Sequence, residues 1–278
     1  TWNTTLHDPE PMPADLFADA AVATDGIRVG IGGWTYAPWR NNFYPAGLVQ
    51  RRELEFASRQ LRVIEINGTY YGAQKPATYA KWAAETPDGF VFSLKAPRYI
   101  TEGKRLADTG KGVSGFVHGG LAEMGDRLGP ILWQLPPSRP FDASDLAAFL
   151  DKLPRELNGQ PLRHVLEVRH PSFLDERYVE LARMQRVPTV FTDSPDYPSL
   201  ADLTGDFSYA RLMRSEDGNP AGYAPAELDR WAGLLATQLG QAGVRDGDIG
   251  ALCDVRSRDP VVALLGSLRA CARSLALY

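Results

Sequence analysis

Hydrophobic and polar positions alternate between two periodicities along this chain. Four apolar, β-branched runs end abruptly in polar residues: Val63-Ile64-Glu65-Ile66-Asn67, Phe90-Val91-Phe92-Ser93-Leu94-Lys95, Ile131-Leu132-Trp133-Gln134 and Val165-Leu166-Glu167-Val168-Arg169-His170. Continuous apolar runs of this length read as strands covered on both faces, as in a parallel sheet under helices. Similar runs occupy Ile27 to Ile31, Thr189 to Thr192, Phe207 to Leu212 and Ile249 to Cys253. Between them lie stretches with helical spacing: 48–59, 78–85, 117–124, 143–153, 176–185, 225–241 and 260–277. Residues 101–112, polar and glycine-rich, read as a loop. Strand and helix thus alternate without a break in composition, which predicts a single (β/α)₈ TIM-type barrel over 27–278, preceded by a Pro/Asp/Ala-rich arm over 1–26. The 278 residues accommodate such a barrel, which typically takes about 250.

Composition narrows the class. Thirty Lys and Arg against 34 Asp and Glu give net charge −4, so no global basic field recruits nucleic acid. Only Cys253 and Cys271 occur, too few for a disulfide framework, which suits a cytoplasmic setting. No apolar run is long enough to span a membrane, and the start lacks the basic and apolar regions of a signal peptide. Neither an internal repeat nor a low-complexity tract is present.

The chemistry lies where the strands end. Charge at the carboxyl end of a buried strand is costly unless the ends share a solvated pocket, and a barrel brings all such ends to one face. That face would carry Trp34; Glu65 and Asn67; Lys95; Gln134; Glu167, Arg169 and His170; Asp193; Arg211; and Asp254. Carboxylates, an ammonium, an imidazole and guanidinium groups around one pocket can perform acid–base chemistry while clamping an anion. Glu65, Lys95, Glu167 and His170 are the candidate catalytic groups. Trp34, Asn67, Tyr70, Gln134, Arg169, Asp193, Arg211 and Asp254 are the candidate binding groups. Each has a plainer role open to it: a Glu167–Arg169 pair sealing the barrel, Lys95 paired with Glu65 or Glu167 rather than a Schiff-base nucleophile, His170 orienting its loop. The aromatic residues of the first two loops could stack on a sugar or base, or simply pack on the rim. The glycines 30, 32 and 33 form neither a dinucleotide nor a phosphate-loop signature.

Several motifs in order also resemble the DUF72, or YecE-like, family: Gly32-Gly33-Trp34-Thr35-Tyr36, Glu65-Ile66-Asn67-Gly68-Thr69-Tyr70-Tyr71, Lys95-Ala96-Pro97, Gln134-Leu135-Pro136-Pro137, Glu167-Val168-Arg169-His170-Pro171 and Tyr209-Ala210-Arg211-Leu212. The resemblance implies a TIM-type barrel with a candidate pocket and no reaction attached. Three departures stand out against the family pattern. Glu102 stands where the family carries His, Met213-Arg214 where it carries His-Gly, and Leu252-Cys253-Asp254-Val255 where an aromatic–Asn–Asn–Asp run is usual.

The expectation is therefore an enzyme, a hydrolase or lyase, acting on a small polar and anionic ligand that bears phosphate or carboxylate, a sugar or nucleotide among the options. No cofactor is expected, although Glu65, Glu167, His170, Asp193 and Asp254 could hold a divalent metal. A metal-assisted phosphodiester hydrolase acting on nucleic acid and a non-catalytic metabolite-binding protein are the alternatives.

Overall fold

A computed structural model describes residues 27–214, 223–224, 226–227, 230 and 249–253. The arm over 1–26, most of the helix expected over 225–241, the helix expected over 260–277, and Asp254 lie outside the described residues. The expected strands form where the apolar runs predict: β1 (Ile27–Gly32), β2 (Val63–Ile66), β3 (Val91–Lys95), β4 (Leu128–Gln134), β7 (His164–Glu167), β8 (Phe191–Asp193), β9 (Ser208–Leu212) and β10 (Ile249–Cys253). All pair in parallel, in the order β7-β4-β3-β2-β1-β10-β9-β8. The two edges of that sheet meet. The Leu166 amide donates to Pro188 O at 2.9 Å and the Val190 amide donates to Leu166 O at 2.8 Å, with Leu166 bridging Thr189. The architecture is a (β/α)₈ TIM-type barrel whose seam between β7 and β8 is held by this single bridge.

Alternation sorts each strand into two faces. Val63, Leu132, Val165, Val190, Phe207 and Tyr209 pack together inside the barrel. Ile64, Ile66, Phe92, Leu94, Ile131, Trp133 and Leu166 belong to the larger core between the sheet and its outer layer. Gly30 allows the first two strands to approach, because a Cβ there would lie 1.8 Å from Val63 O.

The outer layer contains α1 (Glu53–Gln60), α2 (Gly68–Tyr71), α3 (Pro76–Ala84), α4 (Arg98–Thr101), α5 (Gly110–Val117), α6 (Ala143–Leu150) and α7 (Glu176–Met184). Asp142 caps α6 by accepting from the Asp145 amide at 3.0 Å, and Asp175 caps α7 by accepting from the Arg177 amide at 2.9 Å.

Two expectations are corrected. The helix placed over 117–124 ends where it was expected to begin: α5 occupies 110–117, and Gly120, at φ +133°, turns the chain into a 3₁₀ segment over Leu121–Arg127. Three glycines hide α5 from a propensity reading, but Val113, Phe116 and Val117 are buried at helical spacing. Gly112 also leaves room for Ile100 and Tyr99, whose atoms a Cβ would meet at 3.2 Å. The 101–112 stretch is likewise held in place, since the Leu106 and Ala107 amides each donate to Asp145 at 2.9 Å. An unexpected hairpin, β5 (Glu156–Leu157) with β6 (Gln160–Pro161), turns through Asn158-Gly159, both at positive φ. No helix among the described residues is long and apolar enough to cross a membrane.

Candidate functional site

The carboxyl ends of β2, β3, β7 and β9 bring four charged side chains into one buried cluster. Glu65 follows Val63 on the inward face of β2, Lys95 follows Ser93 on β3, Glu167 follows Val165 on β7, and Arg211 follows Tyr209 on β9. Glu65 and Glu167 are wholly buried, and Arg211 and Lys95 nearly so. Arg211 is the hub. Its Nη1 donates to Glu167 Oε2 at 2.6 Å and its Nη2 to Glu65 Oε1 at 3.2 Å. Each carboxylate has a second donor. Tyr209 Oη donates to Glu65 Oε2 at 2.7 Å, and Arg169 reaches Glu167 Oε1 through Nε at 2.7 Å and Nη2 at 2.6 Å. Burial alone would raise the Glu167 carboxyl, but the charges of Arg211, Arg169 and Lys95 outweigh it and hold the group at about 2. Tyr209 is pushed well above the phenol range by burial and by the Glu65 charge beside it.

Lys95 is held differently. Its closest carboxylate oxygen is Glu65 Oε1 at 3.9 Å, beyond hydrogen-bond reach and already engaged by Arg211. The described residues provide no hydrogen bond to its Nζ. The Tyr70 ring, whose centroid is 5.3 Å from Nζ, covers it. Burial lowers the Lys95 pKa, Glu65 and Glu167 oppose that shift, and the Arg211 and Arg169 charges reinforce it.

An aromatic rim surrounds these ions. Tyr70 Oη donates to Glu102 Oε1 at 2.7 Å, and burial followed by that bond raises the phenol to about 12. Arg169 lies over Tyr197, 4.4 Å from its ring centroid, and its Nη1 is 3.4 Å from Tyr197 Oη. Gln134, at the end of β4 between β3 and β7, is buried, and its Oε1 has no hydrogen-bond partner among the described residues.

The remaining predicted residues lie outside the cluster. His170 caps the 3₁₀ turn Pro171–Phe173, its Nδ1 accepting from the Ser172 amide at 3.1 Å and lying 2.7 Å from Ser172 Oγ. Buried Asp193 pairs with Arg214 at 3.5 Å; burial raises its pKa while Arg214 lowers it. Trp34 packs edge-on against Trp82 at 5.3 Å and near Phe92 at 6.2 Å, on the helix side of the sheet. Together with Asn67, Gln74 and Tyr36 it lines a separate cavity of about 540 Å³. No trio of His, Cys, Asp or Glu among the described residues lies close enough to hold a metal ion. The cations that balance Glu65 and Glu167 are guanidinium and ammonium groups of the chain itself.

Two residues that depart from the family pattern take part in the periphery: Glu102 holds Tyr70, and Arg214 holds Asp193. Tyr209 and Tyr197 were missed from sequence. Tyr209 had a signal, since it precedes Arg211 by two positions and therefore shares its face. Tyr197 lies in the irregular segment after β8 and had none.

Comparison with known proteins agrees with this architecture. The family described as "Protein of unknown function DUF72" matches residues 28–252. The UPF0759 protein YunF of Bacillus subtilis is 24% identical over 166 residues, covering 55% of this chain. The chain spans about half the length of that curated relative, 54%. A DUF72 family protein from Thermotoga maritima superposes with TM-score 0.68 at 19% identity, covering 89% of this chain and 99% of its own. One from Enterococcus faecalis does so with TM-score 0.67 at 14% identity, covering 90% of this chain and 98% of its own. At these identities the structural likeness concerns the fold, while the sequence match over most of the barrel establishes kinship: the chain belongs to the DUF72 family.

Proposed function

We propose that this protein is an enzyme acting on a small anionic substrate at the carboxyl face of the barrel, with Lys95 as its acid–base group. The carrying observation is the contrast within the cluster. Every oxygen of both carboxylates accepts a hydrogen bond, whereas the buried Lys95 amine has, among the described residues, only a 3.9 Å contact and a ring above it. Glu167 then serves as a fixed counter-charge, because a carboxyl held at about 2 neither gives nor takes a proton readily near neutral pH, and Glu65, bound by Tyr209 and Arg211, is the second counter-charge. Arg169, the partly exposed guanidinium of the cluster, is held by Glu167 and Tyr197 and would add its charge to the binding of a phosphate or carboxylate. Tyr70, whose ring lies 5.3 Å from Lys95 Nζ, and Gln134, on the same face of the adjoining strand, would orient the substrate. A buried amine with a lowered pKa suits proton abstraction or covalent catalysis, so the reaction class favoured is that of a lyase.

Thermal-shift screening of small phosphate- and carboxylate-bearing metabolites tests this reading. At least one should stabilise the wild type and leave Lys95→Met unmoved, while that variant alone melts at or above wild type. A Lys95→Met protein that responds to the same compounds as strongly as wild type would overturn it.

A further inference from the structure

We infer that Lys95 forms an imine with a substrate that carries both a carbonyl and an anionic group, an oxo acid or a phosphorylated aldehyde or ketone. This rests on the functional reading above and specifies its chemistry.

Charge bookkeeping within the cluster is the first support. Among the described residues of the cluster, Arg169 and Arg211 balance Glu65 and Glu167, and the surplus positive charge is on Lys95. Of the three cations only lysine can shed its proton, since arginine stays charged in proteins. A neutral amine leaves the cluster balanced. Condensation with a carbonyl restores a positive charge at the same nitrogen, and an anionic group on the same substrate compensates it.

Geometry is the second support. Among the described residues the nitrogen has no hydrogen bond that would occupy its lone pair or its protons, and the neighbouring carboxylate oxygen is committed to Arg211. Gln134 Oε1 is a buried acceptor without a partner. It stands two residues beyond Leu132, the register partner of Lys95, on the same face of the adjoining strand. A carbinolamine hydroxyl beside Lys95 is a donor of the kind that this acceptor lacks.

The step balances without an oxidant or reductant. The Nζ lone pair forms a C–N bond to the carbonyl carbon, and a nitrogen proton passes to the oxygen. That hydroxyl then takes one proton from solvent and leaves as water, giving the iminium, and hydrolysis reverses the sequence.

The chain makes the test clean, because it has six lysines and the other five, Lys75, Lys81, Lys104, Lys111 and Lys152, are exposed. The full chain is treated with glyoxylate and cyanoborohydride and mapped by peptide mass spectrometry, with acetaldehyde, a carbonyl lacking the anion, in parallel. Lys95 should gain a carboxymethyl group at least 10-fold faster than any exposed lysine, and inorganic phosphate should slow it. With acetaldehyde that preference should shrink. Glyoxylate labelling spread over the exposed lysines with the Lys95 peptide unmodified overturns the imine. If the metabolite responses still depend on Lys95 in that case, the acid–base reading survives without a covalent step. If they do not, both fall together.

Discussion

Two buried polar groups on the strands that flank β4 are handled in opposite ways. His164, at the start of β7, faces the outer core with both ring nitrogens engaged: Trp133 Nε1 donates to Nδ1 at 3.1 Å, and Nε2 donates to Pro154 O at 2.7 Å. Lys95, at the end of β3, faces the mouth with its nitrogen uncommitted, and Gln134 Oε1 nearby is likewise unused. The first arrangement is complete, and nothing can be added to it without displacing something. The second leaves a donor and an acceptor without partners among the described residues, and the proposed substrate would engage both. Saturation, rather than burial or charge alone, separates a group that holds the fold from one that awaits a ligand.

The comparison is most sharply broken by removing the hub. Arg211→Met leaves Glu65 and Glu167 buried with fewer counter-charges and should cost roughly 3–5 kcal/mol in urea denaturation. Adding Glu167→Gln should recover part of that loss. An Arg211→Met protein as stable as wild type would mean that the cluster contributes nothing to the fold.

A titration separates the two regions by pH. His164 is held at about 4 by burial, against an ordinary value of 6.5, with its bond to Pro154 acting in the opposite sense. The unfolded chain therefore binds this proton first as pH falls. Stability should drop between pH 6.5 and 4 by roughly 3 kcal/mol, then level for this group. That component should vanish in His164→Asn. Glu167, depressed to about 2, contributes stability that is intact above pH 4.5 and is lost as pH falls towards 2. Acid unfolding curves of His164→Asn and Glu167→Gln distinguish these windows; coincident curves would remove the distinction drawn between the two groups.

The smallest expected effect belongs to Gln134. Its Oε1 forms no bond that can be lost, so Gln134→Leu should change stability by less than about 1 kcal/mol. It should nevertheless weaken any metabolite response of the wild type. A large loss of stability instead would place Gln134 with His164 as part of the scaffold.

Much of this arrangement was legible in the chain. Apolar runs ending in Glu65-Ile66-Asn67, Lys95 and Glu167-Val168-Arg169 locate the strands, and alternation within them puts the charged side chains on one face. Their division of labour was not legible. Whether Glu167 exchanges a proton or only holds charge depends on which donors reach its two oxygens, and one of those donors, Arg211, comes from a strand 44 residues away. That His170 turns its Nδ1 to the Ser172 amide in the local turn before Phe173 was not legible from its place beside Arg169. Trp34 shares the rim in sequence but packs outward against Trp82, a contact set by α3. The Asn158-Gly159 hairpin had a recognised turn signal that short flanking strands concealed, and the glycines of α5 concealed a helix.

The seam gives the Arg211–Glu167 bond a second meaning. β7 and β8 share only the bridge at Leu166 and Thr189, yet Glu167 on β7 is tied to Arg211 on β9, which lies on the far side of β8. That ion pair spans the weakest join in the ring like a clasp. A ligand anion drawing Arg211 towards itself would slacken the clasp, so occupancy of the mouth would be felt as breathing of the barrel wall. The Leu166 and Val190 amides, whose bonds make up the join, would then report on the site by how readily they exchange with solvent.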